Sequence, residues 1–199
     1  MTPRVAIIDS GGANVASLAR ALDRLGANSV RTVDPAVIAA ASHVILPGVG
    51  AAADAMQKLR QRGLAEIIPE LRQPVLGICL GMHLLARHSE ENDAKCLGVL
   101  PGRAVKLGGT TSLPVPNMGW CPVMKTTEHS LLDGIPGGSY FYFVHSYALP
   151  VADFTVATAI HAGTITAVAS QRNFSATQFH PERSASAGAR LLANFLAMQ

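Results

Sequence analysis

The fold of this chain is decided by the stretch Pro74-Val75-Leu76-Gly77-Ile78-Cys79-Leu80-Gly81-Met82-His83-Leu84-Leu85. The apolar run before Cys79 predicts a buried strand, and the apolar run after it predicts a helix. Gly77 and Gly81 let the backbone bend sharply between these two elements. The same geometry in the Gly-x-Ser-x-Gly elbow of hydrolases leaves one side chain exposed at the carboxyl end of a strand. Cys79 is therefore a candidate nucleophile with an exposed sulfur.

The chemistry of Cys79 depends on its ionisation, because the thiolate is the reactive form of cysteine. Backbone amides at the start of the following helix favour the thiolate. The alternative is a structural cysteine, since free cysteine is among the most buried residue types and glycines flank many ordinary strand-to-helix turns. The elbow alone does not separate these two interpretations.

A second motif, Thr177-Gln178-Phe179-His180-Pro181-Glu182, follows a strand-like run and precedes the last predicted helix. Side chains at positions i and i+2 of an extended segment share a face, so Glu182 can orient the His180 ring. Pro181 fixes the backbone between them and stops the helix from beginning earlier. Together with Cys79, these residues supply the nucleophile, the base and the orienting group of covalent acyl-transfer chemistry.

The bulk composition excludes several classes of protein. With 199 residues, 49% of them hydrophobic, the chain can bury one sizeable core. The net charge of +3 is small and the basic residues are scattered, which argues against a nucleic-acid surface. Three cysteines without close pairing favour a reducing compartment and no metal site. The beginning of the chain shows no leader pattern and no run approaches a membrane span, so we expect a cytoplasmic protein that binds no membrane.

The first half of the chain alternates between the patterns of strands and helices. Strands are predicted over residues 4–9, 28–33, 43–46 and 74–78, and helices over residues 15–25 and 52–62. This alternation predicts a parallel sheet that is covered on both faces and collects ligands at the carboxyl ends of its strands.

The second half, over residues 103–178, is rich in glycine, proline and short strand patterns. These fall at residues 140–144, 154–160, 165–170 and 174–179, and a last helix is predicted over residues 185–197. We therefore predict a single-domain α/β fold over residues 1–199, with a mostly parallel central sheet flanked by helices and an antiparallel β-rich second half.

Further motifs accompany the cysteine elbow and the His-Pro-Glu motif. They are Ile7-Ile8-Asp9 with a glycine-containing loop ending at Asn14, Leu46-Pro47-Gly48-Val49-Gly50, Pro116-Asn117-Met118-Gly119-Trp120, Tyr140-Phe141-Tyr142-Phe143-Val144-His145-Ser146-Tyr147 and the extension of the second motif to Arg183-Ser184. With these motifs the whole chain resembles the class I (triad-type) glutamine amidotransferases, which have a flavodoxin-like fold. Within that family it resembles the glutaminase subunits of imidazole glycerol phosphate synthase, which act in histidine biosynthesis.

The resemblance implies one glutamine amidotransferase type 1 domain with a catalytic triad and no cofactor. Cys79 would attack the side-chain amide of L-glutamine, and Glu182 would orient His180. His180 would take the proton from Cys79, give it to the leaving ammonia and then activate water to cleave the thioester. The tetrahedral oxyanion needs donors that are in place beforehand, for which the Leu80 amide and the loop Gly48-Val49-Gly50 are candidates. A plain turn after a strand is the alternative reading of that loop.

The resemblance also implies a glutamine pocket. Glu91 would contact the substrate's amino group, and His83, His145, Ser146 and Tyr147 would line the pocket. The alternatives are a solvated acidic pair Glu90-Glu91 and, for the aromatic strand, an ordinary place in the core.

Hydrolysis of glutamine is wasteful unless the ammonia is used, so a synthase partner is expected. The family partner is a (β/α)8-barrel cyclase subunit, bound as a heterodimer, which makes imidazole glycerol phosphate and aminoimidazole carboxamide ribotide. Aromatic residues and arginine are enriched at interfaces, and our candidates for the docking face are Asn14, Trp120, Tyr142 and Arg183. Burial of Trp120 in its own core is the alternative.

The chain departs from the family pattern at several positions outside the triad. The usual residues are replaced by His83 (for glutamine), Asn117 (for histidine), Cys121 (for asparagine), Ala176-Thr177 (for glycine-valine) and Ala51-Ala52-Ala53 (for a segment with an aromatic residue). Two further hypotheses therefore stay open beside an active glutaminase. One is a weakly active binding or regulatory subunit, and the other is an amidotransferase for a different synthase, such as one in an amidinated-sugar pathway.

Overall fold

A computed structural model describes residues 2–10, 15–111 and 113–199 of the chain. Its helices are α1 (Val15–Arg24), α2 (Pro35–Ala40), α3 (Ala52–Gln61), α4 (Leu64–Ile67), α5 (Leu80–Leu85) and α6 (Ala185–Ala197). Its strands are β1 (Arg4–Ile8), β2 (Asn28–Thr32), β3 (His43–Gly48), β4 (Val75–Cys79), β5 (Ala86–Ser89), β6 (Ala94–Lys95), β7 (Leu100–Lys106), β8 (Asn117–Lys125), β9 (Ser139–His145), β10 (Tyr147–Ala148), β11 (Thr155–Ile160), β12 (Thr164–Gln171) and β13 (Phe174–Thr177).

The central sheet has nine strands in the order β2-β1-β3-β4-β13-β12-β11-β8-β9. The pairs from β2 to β13 are parallel, whereas the pairs from β13 to β9 are antiparallel. The predicted α/β fold is confirmed, and its parallel and antiparallel parts belong to one continuous sheet. β13 is the strand at which the two parts meet.

A second sheet of four strands, in the order β10-β7-β5-β6, packs beside the end of α5. The sequence patterns predicted neither this sheet nor α2, α4 and β8. Two of the strands in this sheet have only two residues, which is too short for an alternating pattern to be recognised. The sequence does carry a signal for α2, because Asp34-Pro35 is a typical start of a helix. In the structure Asp34 accepts a hydrogen bond from the Ala36 amide and Pro35 is the first residue of the helix.

The core consists of two apolar clusters, one on each face of the central sheet. Ile7 lies in one cluster and its neighbour Ile8 in the other, as expected for adjacent residues of a strand. On the first face α1 and α6 bury Leu18, Leu22 and Phe195, and α3 covers the second face. Because both faces are covered, the residues at the carboxyl ends of the strands are held on a rigid base. In the described part of the chain, no helix has both the length and the apolar character needed to cross a bilayer.

Candidate active site

The predicted catalytic residues come from the ends of neighbouring strands. β4 lies between β3 and β13, and Cys79 is paired with Gly48 of β3. On the other side Ile78 is paired with Thr177, the last residue of β13. Since parallel strands end at the same edge of a sheet, the glycine loop, the cysteine and the segment containing His180 all emerge there.

The backbone at Cys79 has the strained geometry of a nucleophile elbow. Its φ of 53° and ψ of −110° belong to a region that residues with a side chain rarely occupy. A Cβ atom at Gly81 would overlap the carbonyl oxygen of Leu46, and one at Gly77 would lie 2.8 Å from Cδ1 of Leu85. The flanking glycines are therefore required by the close approach of β3, β4 and α5.

The sulfur of Cys79 is less exposed than the sequence predicted. Only 8% of the residue is accessible. The thiol lies 3.5 Å from the Val144 carbonyl oxygen, and it lines a cavity rather than the open surface. The expectation of an exposed sulfur is thus wrong in this respect, and access to it runs through the cavity.

His180 is held between Cys79 and Glu182. Its Nδ1 lies 2.9 Å from Oε1 of Glu182, and both side chains are buried. Burial alone would lower the pKa of His180, but hydrogen bonds and charge interactions with Cys79 and Glu182 outweigh it and raise this pKa to about 10. The ring therefore carries its proton at neutral pH, next to the sulfur.

A cavity of about 260 Å³ opens at this point. Every residue predicted for the oxyanion loop and the glutamine pocket lines it, together with Cys79 and His180. These residues come from five separate segments of the chain, at positions 48–50, 79–83, 91, 145–147 and 180. The structure brings them together around one space, at the carboxyl ends of β3 and β4.

His83 contacts a residue that sequence reasoning did not include in the site. Its Nε2 lies 2.8 Å from Oε1 of Gln178, and both residues are buried. Burial lowers the pKa of His83 despite this hydrogen bond, so the neutral ring donates its Nε2 proton to the amide oxygen. The amide nitrogen of Gln178 then faces the sulfur of Cys79 at 4.0 Å. The position of Gln178 inside the second motif was the available signal.

His145 lines the cavity in a defined tautomer. Its Nδ1 lies 2.9 Å from the Tyr147 carbonyl oxygen and its Nε2 lies 3.1 Å from Nδ2 of Asn117. Burial is the main cause that lowers the pKa of His145 to about 4, so the ring is neutral. Nδ1 therefore donates to Tyr147 and Nε2 accepts from Asn117. An amide at position 117 fits this contact, which accounts for one of the departures noted in the sequence.

Glu91 is not half of a solvated acidic pair. Its Oε2 accepts a hydrogen bond from the amide of Ala52 at 3.0 Å, and it lines the cavity. Glu90 points elsewhere, because its carboxylate accepts from the Lys106 amide at 2.9 Å.

The predicted docking residues form a cluster on β8, β9 and the turn after β13. Trp120 is 50% exposed, so it does not belong to the core. Its ring meets Tyr142 edge to face at 6.0 Å, and the Arg183 guanidinium lies 4.6 Å above the Tyr142 ring. Tyr142 also contacts the site, since its carbonyl oxygen accepts from the His180 amide at 2.9 Å. The fourth candidate, Asn14, lies outside the described residues.

A cysteine, a histidine and a glutamate meet at the strand ends of an α/β sheet. They fit an enzyme that transfers acyl groups through a covalent intermediate on the cysteine. The family model of glutamine amidotransferase class-I matches residues 6–198, and the chain belongs to that family. Its relatives include the imidazole glycerol phosphate synthase subunit HisH of Xanthomonas axonopodis pv. citri (strain 306), which is 49% identical over 194 residues, 98% of this chain and 97% of the relative. The HisH subunit of Vibrio cholerae serotype O1 is 46% identical over 202 residues, 98% of this chain and 99% of the relative.

Solved structures agree with the fold. A crystal structure of a glutamine amidotransferase superposes with a TM-score of 0.75 at 18% identity, over 97% of each chain. The structure of PurLQS from Thermotoga maritima gives a TM-score of 0.74 at 16% identity, over 99% of each chain. At this level of identity the likeness shows the shared architecture.

Proposed function

We propose that this chain is the glutaminase subunit of an imidazole glycerol phosphate synthase, with residues 1–199 forming one glutamine amidotransferase type 1 domain. Relatives that are nearly half identical over almost the whole chain are named as imidazole glycerol phosphate synthase subunit HisH. The observation that carries the proposal is the meeting of Cys79 with the buried His180–Glu182 pair at the wall of one cavity.

The first half of the reaction forms a thioester. The Cys79 thiolate attacks the side-chain amide carbon of glutamine, and a carbon–sulfur bond forms while the carbonyl oxygen becomes an oxyanion. The Leu80 amide and the loop Gly48-Val49-Gly50 are the candidate donors to that oxyanion. His180 then gives its proton to the amide nitrogen, the carbon–nitrogen bond breaks, and ammonia leaves. Glu182 keeps the ring in place through Nδ1.

The second half of the reaction releases glutamate. His180, now neutral, takes a proton from a water molecule as the oxygen of that water attacks the thioester carbon. The carbon–sulfur bond breaks and the electron pair returns to Cys79, which restores the thiolate beside a protonated His180. The raised pKa of His180 suits this resting state.

The released ammonia must be used by a second enzyme subunit. The relatives are subunits of a synthase by name, and we expect the partner to be a (β/α)8-barrel cyclase in a heterodimer. That subunit would use the ammonia to form imidazole glycerol phosphate and aminoimidazole carboxamide ribotide in histidine biosynthesis. The cysteines are free, which fits our expectation that the reaction takes place in the cytoplasm.

The test is the release of glutamate from L-glutamine, measured with and without a barrel cyclase subunit and its nucleotide ligand. We expect strong release in the complex, no release by Cys79→Ala, and normal ammonia-dependent synthesis by the Cys79→Ala complex. If ammonia-dependent synthesis is lost as well, the cysteine has a structural role. If the complex forms but releases no glutamate, the binding-subunit hypothesis replaces ours. If the histidine-pathway cyclase does not bind, the chain serves another synthase.

The docking face can be tested separately. Trp120→Ala should weaken binding to the cyclase by more than about tenfold, since exposed tryptophans often dominate interfaces, and should leave the fold intact. Val30→Ala is the matched control, because Val30 is 49% exposed and lies on β2 at the opposite edge of the sheet. Equal binding by the two variants would exclude Trp120 from the interface.

A further inference from the structure

The glycine loop at the cavity, Gly48-Val49-Gly50, has a hydrogen bond on each side to a side chain from a distant part of the chain. At its beginning, the hydroxyl of Ser10 donates to the Pro47 carbonyl oxygen at 2.7 Å. At its end, the amide of Ala52 donates to Oε2 of Glu91 at 3.0 Å. Between these anchors lie Gly48, Val49 and Gly50, which all face the cavity.

The contact with Glu91 satisfies one of the amides at the start of α3 that have no partner within the helix. Ala52 is the first residue of α3, and the residue before it, Ala51, has no side chain that could accept a hydrogen bond. A serine, threonine, aspartate or asparagine at position 51 would accept from the second or third amide of α3 and not from that of Ala52. The orphan amide is instead satisfied by a carboxylate from 39 positions further along the chain, at the end of a helix that favours negative charge.

Glu91 is itself held by a strained turn. The two residues after it, Asn92 and Asp93, have φ values of 57° and 50°, which asparagine and aspartate tolerate better than most residues. The amide of Glu91 donates to the hydroxyl of the fully buried Ser89, on β5, at 3.2 Å. The small second sheet therefore fixes the position of one carboxylate against the start of α3.

We propose that Glu91 is a positioning residue for the oxyanion loop, which it holds through the Ala52 amide, in addition to its expected contact with the amino group of glutamine. A carboxylate can accept about four hydrogen bonds, so the substrate's ammonium can bind Glu91 while Ala52 keeps its bond. The loop is then in place before the oxyanion forms, which is what electrostatic stabilisation requires. This inference rests on the proposed glutaminase function.

Ala52→Pro and Glu91→Gln separate the contact of Glu91 with the loop from its contact with the substrate. Ala52→Pro removes the N–H donor and leaves the carboxylate in place. Proline suits the first position of a helix, and the φ of −91° and ψ of 142° at Ala51 are those of a residue before proline. Ala52→Gly is the matched control, since it changes the side chain and keeps the N–H. Glu91→Gln keeps an oxygen acceptor for Ala52 and removes the charge.

Glutamate release is measured in the complex with the cyclase and its nucleotide ligand. We expect kcat of Ala52→Pro to be about tenfold below that of Ala52→Gly, with KM for glutamine changed by less than about threefold, because a displaced loop weakens the oxyanion donors. Glu91→Gln should instead raise KM about tenfold and leave kcat nearly unchanged, because it removes the charge that binds the substrate's ammonium and keeps the acceptor for Ala52. Equal kcat values for Ala52→Pro and Ala52→Gly would overturn the proposal.

A second measurement does not depend on turnover. Amide hydrogen exchange over residues 48–56 should become faster in Glu91→Ala than in the unsubstituted chain, whereas Glu90→Ala should leave it unchanged, since the Glu90 carboxylate binds a different amide. Unchanged exchange in Glu91→Ala would overturn the positioning role even if the enzyme is active. If the unsubstituted complex releases no glutamate, the proposed function is overturned. The exchange measurement would still show whether Glu91 holds the loop through the Ala52 amide.

Discussion

Gly81→Ala is expected to damage both the stability of the fold and the reactivity of Cys79. The added Cβ would overlap the Leu46 carbonyl oxygen and lie 2.9 Å from the carbonyl carbon. Leu46 belongs to β3, so the conflict is between two backbones and no side chain can rotate away. Overpacking of this kind costs about 1–3 kcal/mol, and we expect a value of about 3 kcal/mol because α5 and β3 must separate.

The expected loss can be measured in two ways. For a domain of this size, 1 kcal/mol corresponds to about 2–4 °C in Tm, so Gly81→Ala should melt about 6–12 °C below the unsubstituted protein. Glutamine turnover should fall by about 100-fold. The movement of α5 away from β3 displaces Cys79 relative to His180, and a misplacement of about 1 Å has an effect of this size.

Gly137→Ala provides the control for this substitution. Gly137 has no neighbour within 4 Å of an added Cβ and is not in the left-handed region, so its replacement should change the free energy of unfolding by less than about 0.5 kcal/mol. If Gly81→Ala melts within 2 °C of Gly137→Ala and turns over glutamine normally, the close approach at Gly81 does not hold the elbow, and our reasoning fails. The 2 °C threshold corresponds to about 1 kcal/mol or less.

Three further predictions concern the histidines around the cavity. His83→Gln should lower KM for glutamine by about threefold, because glutamine is the usual residue of the family at this position and its amide can still donate to the Gln178 carbonyl oxygen. An unchanged KM in initial-rate measurements would show that this position does not influence substrate binding. Asn117→Asp removes the donor to Nε2 of His145 and should raise the pKa of His145 above its value of about 4, which an NMR titration would follow; an unchanged pKa would contradict the contact. The pKa of His180 rises from 6.5 to about 10 on folding, so its stabilisation is complete below about pH 6.5 and is lost as the pH rises through 10. The urea midpoint should therefore fall more steeply with pH in the unsubstituted protein than in His180→Asn, and parallel curves would refute the ion pair.

The parallel half of the fold and the catalytic triad were predictable from local patterns. The strand before Cys79, the glycines beside it and the His-Pro-Glu motif each have a strong short-range signal. The helix α1 was predicted because its buried residues, including Leu18 and Leu22, recur at helical spacing.

The pairing of strands was not predictable in the same way. β13 joins β4 across roughly half of the chain, and no local pattern specifies which strands become neighbours. The exposure of Trp120 was also undecided, because both faces of β8 carry apolar side chains and the alternation alone does not show which face is buried. The contacts of Gln178 and Ala52 depend on the same long-range packing.

The place of β13 in the sheet has a consequence for the synthesis of this protein. The ribosome completes the cysteine elbow long before it adds Phe174, the first residue of the strand that lies beside β4. Until then the unfinished chain has a cysteine without its histidine, and it cannot hydrolyse glutamine. Folding of the segment from Phe174 onward is thus the step that brings His180 beside Cys79 and creates the enzyme.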